Sequence, residues 1–171
     1  SEADQVTLYA ALVEAAKDVG GGPVGGRALG SLRIEKGYGS WGREYSQEYW
    51  PQEVGLDGLI KLDKEFLNKD AYLKIKDKPC RELLSVFEID AAHDADASGG
   101  EPIFTPDGTP VGRVTSGAYS YTLGKSLAVG YVNPEIAKPG DAVEVFLLGK
   151  PHTARILEEA PFDPKGAKLR A

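Results

Sequence analysis

Aromatic side chains concentrated between positions 38 and 51 are the residues of this sequence best suited to bind a flat ligand. They are Tyr38, Trp41, Tyr45, Tyr49 and Trp50. Flat aromatic faces can stack on a heterocycle, and tyrosine or glutamate side chains can hydrogen-bond its polar edge. The alternative is that these rings fill a core between two parts of the molecule, and the residue types alone favour this alternative.

Carboxylates accompany the aromatic residues and could supply acid or base chemistry. The glutamates near this stretch are Glu35, Glu44, Glu48 and Glu53. The sequence alone does not bring two of them together, so no acid–base pair can be assigned. We expect most of them to be ion-paired or at the surface, and one buried beside a ring would be a candidate site group.

A glycine-rich motif, Gly20-x-Gly22-x-x-Gly25, matches the dinucleotide fingerprint in spacing only. That fingerprint requires a preceding strand and a following helix whose first amides meet a pyrophosphate. Here a predicted helix precedes the motif, and Pro23 removes one amide. We therefore predict a loop between two helices.

Metal binding and nucleophilic catalysis also have weak support. Asp94-x-Asp96-x-Ser98-Gly99 resembles the start of a calcium loop, but Thr105 stands where a bidentate glutamate is needed. We predict a solvated acidic loop, with His93 as the nearest nitrogen ligand, and no metal site. A hydrolase triad is rejected because His93 and His152 are the only histidines and no nucleophile-elbow pattern occurs. Cys80, the only cysteine, permits no intrachain disulfide and is predicted to be a small, partly buried side chain.

The net charge of −6 and the isoelectric point near 5.0 argue against a nucleic-acid or anionic-membrane binder. No apolar run is long enough to span a bilayer, and no signal peptide is visible. The sequence contains no methionine. We therefore expect Ser1 to follow a processed or truncated start, with part of the chemistry upstream.

The first half is predicted to be mainly helical because its apolar residues recur at helical spacing. Residues 1–19 and 27–36 are predicted helices, residues 58–62 a strand, and residues 64–74 a third helix. The apolar stripe of the first helix consists of Val6, Tyr9, Val13 and Ala16.

After Pro79 the apolar period changes to two, which is typical of strands. The predicted strands span residues 82–89, 102–104, 110–116, 126–132, 142–148 and 150–158. Asp107-Gly108 predicts a hairpin turn. Short strands at this spacing predict a small antiparallel barrel or sandwich.

Several segments in fixed order resemble the glycine-cleavage T-protein superfamily over nearly the whole chain. They are Ser31-Leu32-Arg33-Ile34-Glu35-Lys36-Gly37-Tyr38 with Trp41-Gly42, Pro51-Gln52-Glu53, Lys61-Leu62-Asp63-Lys64-x-Phe66, Val111-Gly112-Arg113-Val114-Thr115-Ser116-Gly117, and Leu127-Ala128-Val129-Gly130-Tyr131-Val132. Each segment is weak by itself, but the ordered set is specific. The resemblance implies an α+β fold, with residues 1–76 completing a T-protein-like folate-binding domain and residues 77–171 forming an antiparallel β-barrel domain.

The resemblance also implies a function. Members bind tetrahydrofolate and pass a one-carbon unit from an amine or sulfur donor to its N5. Lys36-Gly37-Tyr38 with Trp41-Gly42 looks like the dimethylglycine and sarcosine dehydrogenase branch, whose upstream domain carries FAD and oxidises an N-methyl amine donor. Leu29 and Ala167 stand where true T-proteins carry a folate-contacting arginine and an aromatic residue. This resemblance places the protein in the bacterial cytoplasm or the mitochondrial matrix.

The same resemblance nominates Tyr38 and Trp41 as walls for the pterin or the glutamyl tail. Arg33 and Glu35 are expected at the same cofactor site, where they fix the helix beside it. The catalytic aspartate of the family is expected upstream of Ser1, so the isolated chain is predicted to be inactive and to bind folate weakly. An open cleft or a severed surface beside Tyr38 and Trp41 is a requirement of this interpretation.

Alternatives remain within and beyond the enzyme class. The enzyme alternatives are a glycine-cleavage aminomethyltransferase and a sulfonium demethylase with the same folate domain. A non-catalytic folate-binding relative that serves iron–sulfur cluster assembly would carry a cysteine in its central motif, and Gly37-Tyr38-Gly39 has none. A purely structural interaction module that docks on a partner is the last alternative.

Overall fold

The computed structural model describes residues 2–91, 96–135 and 138–171. By its internal contacts the chain divides after Gly30 into two compact units, and the second runs from Ser31 to the C-terminus. The boundary at residue 76 that the sequence resemblance suggests stays a prediction.

The first unit contains one long helix, α1, Glu2–Lys17. Acidic residues in its first turn and Lys17 in its last turn suit the helix dipole, and Gly20 follows in a left-handed conformation. The predicted helix is confirmed, but none of its side chains is buried, and Val6 is 70% exposed. The glycine-rich motif follows a helix, as expected for a loop, and helix α2, Gly26–Glu35, begins after it.

The second unit is built around a closed barrel of six antiparallel strands, which confirms the predicted barrel. The strands are β1 Leu83–Ile89, β2 Pro102–Phe104, β3 Pro110–Ser120, β4 Lys125–Val132, β5 Ala142–Leu147 and β6 Lys150–Ile156. Their order around the barrel is β1-β4-β3-β2-β5-β6, and β6 pairs with β1 to close it. Closure gives each of the six strands two paired neighbours, and β1 pairs with β6 over Phe87, Glu88 and Ile89.

The interior of the barrel is apolar because alternate side chains of each strand point inward. This core includes Phe87, Ile89, Ile103, Val114, Val145, Leu147 and Ile156. Strand β4 is buried on both faces: Ala128 and Val132 belong to this core, while Leu127 and Val129 pack with Ile34 of α2 in a second cluster. The last turn of α2, at Ile34, therefore lies against the outside of β4.

Residues 38–78 connect α2 to the barrel and are mostly irregular. The predicted strand at residues 58–62 is wrong, since a 3₁₀ turn, Asp57–Leu59, occupies its start. The predicted helix at 64–74 is wrong over its first half, and only α3, Lys69–Leu73, forms. Asn68 adopts a left-handed conformation with φ 65°, which interrupts a right-handed helix. Leu67 is 89% exposed, so the apolar spacing there does not mark a buried face.

The last segment of the chain returns to α2. The backbone N–H of Phe162 donates to the carbonyl oxygen of Glu35 at 2.9 Å. The ammonium of Lys36 forms an ion pair with Asp163 at 3.1 Å. These contacts hold the C-terminal segment against the end of α2, next to the aromatic residues.

Candidate functional site

The aromatic loop, residues 38–50, is attached to the barrel through the carboxylate of Glu44, which is completely buried. Its Oε1 accepts hydrogen bonds from Thr115 Oγ1 at 2.7 Å and from Ser116 Oγ. Its Oε2 accepts the backbone N–H of Ser40 at 2.5 Å and lies 3.5 Å from Arg33 Nη1. One carboxylate thus joins the loop to β3 and α2.

Burial raises the pKa of Glu44, but its hydrogen-bond donors outweigh this effect. Bonds from Ser116, Thr115 and Ser40 and the positive charge of Arg33 together hold that pKa below its ordinary value. The carboxylate is therefore ionised at neutral pH. A buried ionised group without such partners would strongly destabilise the fold.

Tyr131 of β4 holds the aromatic loop against the barrel. Its hydroxyl donates to the backbone carbonyl oxygen of Glu44 at 2.5 Å, and its ring stacks on Tyr49 with centroids 3.9 Å apart. Burial raises the pKa of Tyr131, so the phenol keeps its proton and remains a donor. Arg113 donates to Tyr49 Oη at 2.5 Å and to Glu82 Oε1 at 2.7 Å, which fixes the outer edge of this stack.

The end of the loop is anchored by Glu53, which is 1% exposed. Arg81 forms a two-bonded pair with it, with Nε to Oε1 at 2.9 Å and Nη2 to Oε2 at 2.7 Å. The backbone N–H groups of Trp50 and Arg81 also donate to this carboxylate. The bonds from Arg81 dominate and lower the pKa of Glu53 to about 2. The Arg81 guanidinium lies over the Trp50 ring, 5.0 Å from its centroid.

Arg33 and Glu35, which the sequence nominates for a cofactor site, make contacts within the chain. Arg33 Nη1 donates to the carbonyl oxygen of Tyr38 at 3.0 Å, in addition to its contact with Glu44. Glu35 is 2% exposed and accepts a hydrogen bond from Ser120 Oγ at 2.7 Å. Their assignment to a cofactor site stays a prediction.

Trp41 and Tyr38 line different depressions of the surface. Trp41 is 88% exposed and borders an open depression of about 820 Å³ with Tyr45, Tyr49 and Leu59. Tyr38 is 51% exposed and borders a second depression of about 340 Å³. The other walls of that second depression include Leu32, Lys36, Phe162, Lys168 and Leu169. The two nominated rings are thus not brought together over one cavity.

Comparison with known proteins gives the family. Residues 1–64 match the model of the GCVT N-terminal domain, and residues 83–163 match that of the glycine cleavage T-protein C-terminal barrel domain. The two matches occur in the order expected from the sequence resemblance. This chain belongs to the glycine-cleavage T-protein superfamily.

Relatives of this T-protein superfamily member carry more than one enzymatic name. This chain is 39% identical to mitochondrial dimethylglycine dehydrogenase of Mus musculus over 158 residues, which is 91% of this chain and 18% of that protein. It is 36% identical to the formaldehyde-forming 4-methylaminobutanoate oxidase of Paenarthrobacter nicotinovorans, covering 96% of this chain and 20% of the oxidase. It is also 36% identical to an aminomethyltransferase of Thermotoga neapolitana, covering 91% and 41%. The chain therefore spans from about a fifth to two-fifths of these relatives.

The fold is shared with a solved T-protein. The crystal structure of glycine cleavage system aminomethyltransferase T from Bartonella henselae superposes with a TM-score of 0.72. The match covers 80% of this chain and 38% of that one, at 21% identity. At this identity the likeness establishes the fold alone.

Sequence reasoning missed the partners of the buried carboxylates in this T-protein superfamily chain. Thr115 and Ser116 follow the buried Val114 in β3, and adjacent hydroxyl residues at a buried part of a strand are a signal that could have marked a polar contact. Arg81 offered no such signal, because its partner Glu53 lies 28 positions earlier.

Other candidate chemistry has little geometric support. Within residues 2–91, 96–135 and 138–171, no group of three or more histidine, cysteine or acidic side chains could hold a metal ion. His93 and Asp94 of the calcium-like motif lie outside the described residues. Burial raises the pKa of the Cys80 thiol, which opposes a nucleophilic role. In the part of the chain that the structure describes, no helix has the length and apolar character needed to cross a bilayer.

Proposed function

We propose that this chain is the C-terminal part of a tetrahydrofolate-dependent enzyme of the dimethylglycine or sarcosine dehydrogenase type. In that enzyme an upstream FAD domain oxidises an N-methyl amine to an iminium, and the folate domain takes up the carbon. Residues 1–76 complete the folate domain, and residues 77–171 form the barrel domain. The partners of this chain are folate, the amine donor and the upstream domain of the same protein.

The names of two relatives support the choice of an N-methyl donor. Dimethylglycine dehydrogenase and 4-methylaminobutanoate oxidase both act, by name, on N-methylated amino acids. Leu29 and Ala167, which depart from the aminomethyltransferase pattern, favour the same branch. The mitochondrial relative and bacterial relatives agree with a location in the mitochondrial matrix or the bacterial cytoplasm.

The observation that carries the proposal is the exposed ring of Trp41 on a rigidly anchored loop. An 88% exposed ring that lies beside further aromatic and apolar side chains of one depression is typical of a surface that a ligand or another domain covers. The adjoining depression of about 820 Å³ has the size of a cofactor site, and Tyr45 and Tyr49 add aromatic surface for a pterin. Tyr38 is a second proposed contact, from its own depression.

The chain's role in this scheme is to orient the folate and not to perform bond chemistry. Arg33 and Glu35 fix the end of α2 beside the aromatic loop, and Trp41 stacks on the ligand. Tetrahydrofolate, when bound, supplies the N5 nucleophile that accepts the carbon. Holding that atom against the reactive carbon converts a two-molecule encounter into a positioned one.

The test is a calorimetric titration of 5-formyltetrahydrofolate into the natural protein that contains this sequence. Trp41→Ala should weaken binding roughly tenfold, because ring stacking contributes about 0.5–1.5 kcal/mol and buried area adds to it. Tyr121→Ala is the matched control, since that ring is 84% exposed and borders neither of the two depressions. The 171-residue chain alone should bind weakly.

Unchanged affinity of Trp41→Ala together with lowered stability would show that the ring is packing and not a ligand contact. Tight folate binding by the 171-residue chain alone would contradict the proposed upstream half of the site. Loss of binding in both the Trp41 and Tyr121 variants would point to a general loss of structure.

The aminomethyltransferase relatives at 33–36% identity support one alternative. The two alternatives are distinguished by supplying the natural protein with tetrahydrofolate and either dimethylglycine or a pre-formed aminomethyl donor. Methylene-tetrahydrofolate formed only from the aminomethyl donor would replace the dehydrogenase proposal with a transferase. Folate binding without turnover of either donor would favour a non-catalytic folate-binding module.

A further inference from the structure

The carboxylate of Glu44 is the point where three elements meet. Its oxygens accept donors from the aromatic loop at Ser40, from β3 at Thr115 and Ser116, and from α2 at Arg33. The backbone carbonyl oxygen of Glu44 also accepts a hydrogen bond from the hydroxyl of Tyr131 in β4. No other loop carboxylate in the described residues contacts both α2 and β3.

A β-bulge in β3 makes this contact possible. The register of β3 against β4 shifts between Val114 and Ser116. Successive side chains of a regular strand point to opposite faces, so Thr115 and Ser116 could not normally reach the same atom. At the bulge both hydroxyls donate to Glu44 Oε1. Bulges commonly re-aim a side chain next to a functional site.

The loop around Glu44 is closely fitted. The N–H of Gly39 donates to Tyr45 Oη at 2.9 Å. A Cβ at Gly39 would lie 2.7 Å from the Tyr45 ring and 2.9 Å from Glu44 Cβ, so only glycine fits there. Within this tight turn the ring of Trp41 alone is left almost fully exposed.

A contribution to the free energy of unfolding does not by itself explain why a buried carboxylate occupies this position. Well-packed apolar side chains in place of both the carboxylate and its donors would fill the space without the cost of removing a charge from water. A charge with four directional donors instead fixes one orientation of the turn that carries it. This argues for a role in orientation.

We propose that Glu44 is a positioning residue that fixes residues 40–45 so that the Trp41 ring faces the ligand in a single orientation. Glu44 itself touches no ligand. The ligand assignment rests on the proposed folate function, whereas the fixing of the turn does not.

The experiment compares Glu44→Gln with Glu65→Gln in the natural protein. The side chain of Glu65 is 91% exposed, pairs with Lys69 four positions later, and borders neither of the two depressions. The amide introduced by Glu44→Gln offers one acceptor oxygen where the turn needs two, so either Ser40 or the two hydroxyls lose their partner. The double substitution Thr115→Val with Ser116→Ala removes the same contacts from the barrel side.

The affinity for 5-formyltetrahydrofolate is measured by calorimetry, and the order of the turn by amide hydrogen exchange. Both Glu44→Gln and the Thr115/Ser116 variant should bind about tenfold more weakly, because misplaced contacts lose most of their benefit. Exchange should accelerate at Gly42 and Glu44, whose amides bond within the turn, while Leu127 in β4, which pairs with β1 and β3 away from Thr115 and Ser116, stays protected. Glu65→Gln should change neither readout.

Unchanged affinity in folded Glu44→Gln protein would overturn the positioning role. Equal acceleration of exchange in the turn and in β4 would also overturn it, because this would indicate a general stabilising role. If the unsubstituted protein binds no folate, the proposed function fails, and the exchange comparison still decides whether Glu44 fixes the turn. If Glu44→Gln does not fold, the Thr115/Ser116 variant decides both points.

Discussion

In the barrel, every strand pairs with two neighbours and side chains such as Phe87 and Ile103 are completely buried. In the aromatic loop, residues 38–50, the only strand-like pairing among the described residues is an isolated bridge between Trp41 and Tyr45. The barrel is stabilised by apolar burial and backbone pairing, and the loop by a few buried, ionised or hydroxyl-bearing side chains. An apolar core tolerates small shifts, whereas directional bonds fix one geometry. A loop that presents aromatic rings to a ligand needs one fixed geometry, and directional hydrogen bonds and ion pairs provide it.

The comparison predicts that barrel stability depends most on its apolar interior. Phe87→Ala should lower the free energy of unfolding by about 3–5 kcal/mol, because it leaves a cavity in a fully buried site. Denaturant unfolding followed by circular dichroism measures this. Phe146→Ala, at a ring that is 36% exposed on β5, should cost clearly less. Equal losses for the two rings would show that the interior of the barrel does not dominate its stability.

A smaller effect is expected when an anchor of the loop is changed. Glu53→Gln should lower the free energy of unfolding by about 1–3 kcal/mol, since it weakens the two-bonded contact with Arg81 and leaves donors unpaired. Glu48→Gln, at an exposed position, should stay within about 0.5 kcal/mol. If both substitutions behave alike under the same denaturant titration, the buried carboxylate is not an anchor.

Lowering the pH should remove part of the stabilisation that the Glu53 carboxylate contributes. The pKa of Glu53 is lowered from 4.5 to about 2 in the folded chain. A lowered folded pKa stabilises the fold above the unfolded value, and this stabilisation is lost as the pH falls through that range towards about 2. The difference in the free energy of unfolding between wild type and Glu53→Gln should therefore have its maximum value at neutral pH and should decrease below about pH 4.5. A difference that stays constant down to about pH 2 would contradict the lowered pKa.

The smallest effect on stability is expected at Trp41. Because its ring is 88% exposed, Trp41→Ala should change the free energy of unfolding by no more than about 0.5 kcal/mol. Thermal unfolding of the two proteins side by side measures this. A loss as large as that of Glu53→Gln would mean that the ring is part of the packing and would weaken its proposed role in ligand binding.

The barrel could be predicted from the sequence because its signals are local. Alternation of apolar residues and turn residues such as Asp107-Gly108 predicted all six strands, and Gly108 adopts the positive φ that its turn needs. Strand β3 extends to Ser120, beyond the predicted end at 116, because pairing with β4 continues past the bulge. Interstrand pairing of this kind leaves no local pattern.

The segment between α2 and the barrel was predicted poorly for a related reason. The predicted strand at 58–62 and the first half of the helix at 64–74 relied on apolar residues such as Leu59 and Leu67, which are 74% and 89% exposed. At these positions the apolar spacing does not correspond to a buried face, and the secondary structure predicted from it does not form. Nor does the sequence indicate which of the glutamates beside the aromatic residues are buried, and three of them, Glu35, Glu44 and Glu53, are.

The sequence by itself determined the superfamily, the α+β class, the two leading helices and the barrel, because ordered motifs and apolar periodicity act over short stretches. Only the tertiary structure decided that Glu44 meets Thr115 and Ser116, that Glu53 meets Arg81, and that Tyr38 and Trp41 line separate depressions. These contacts join residues 28 to 72 positions apart through a bulge and a closed barrel. Their geometry depends on long-range pairing, which no local pattern in the chain records.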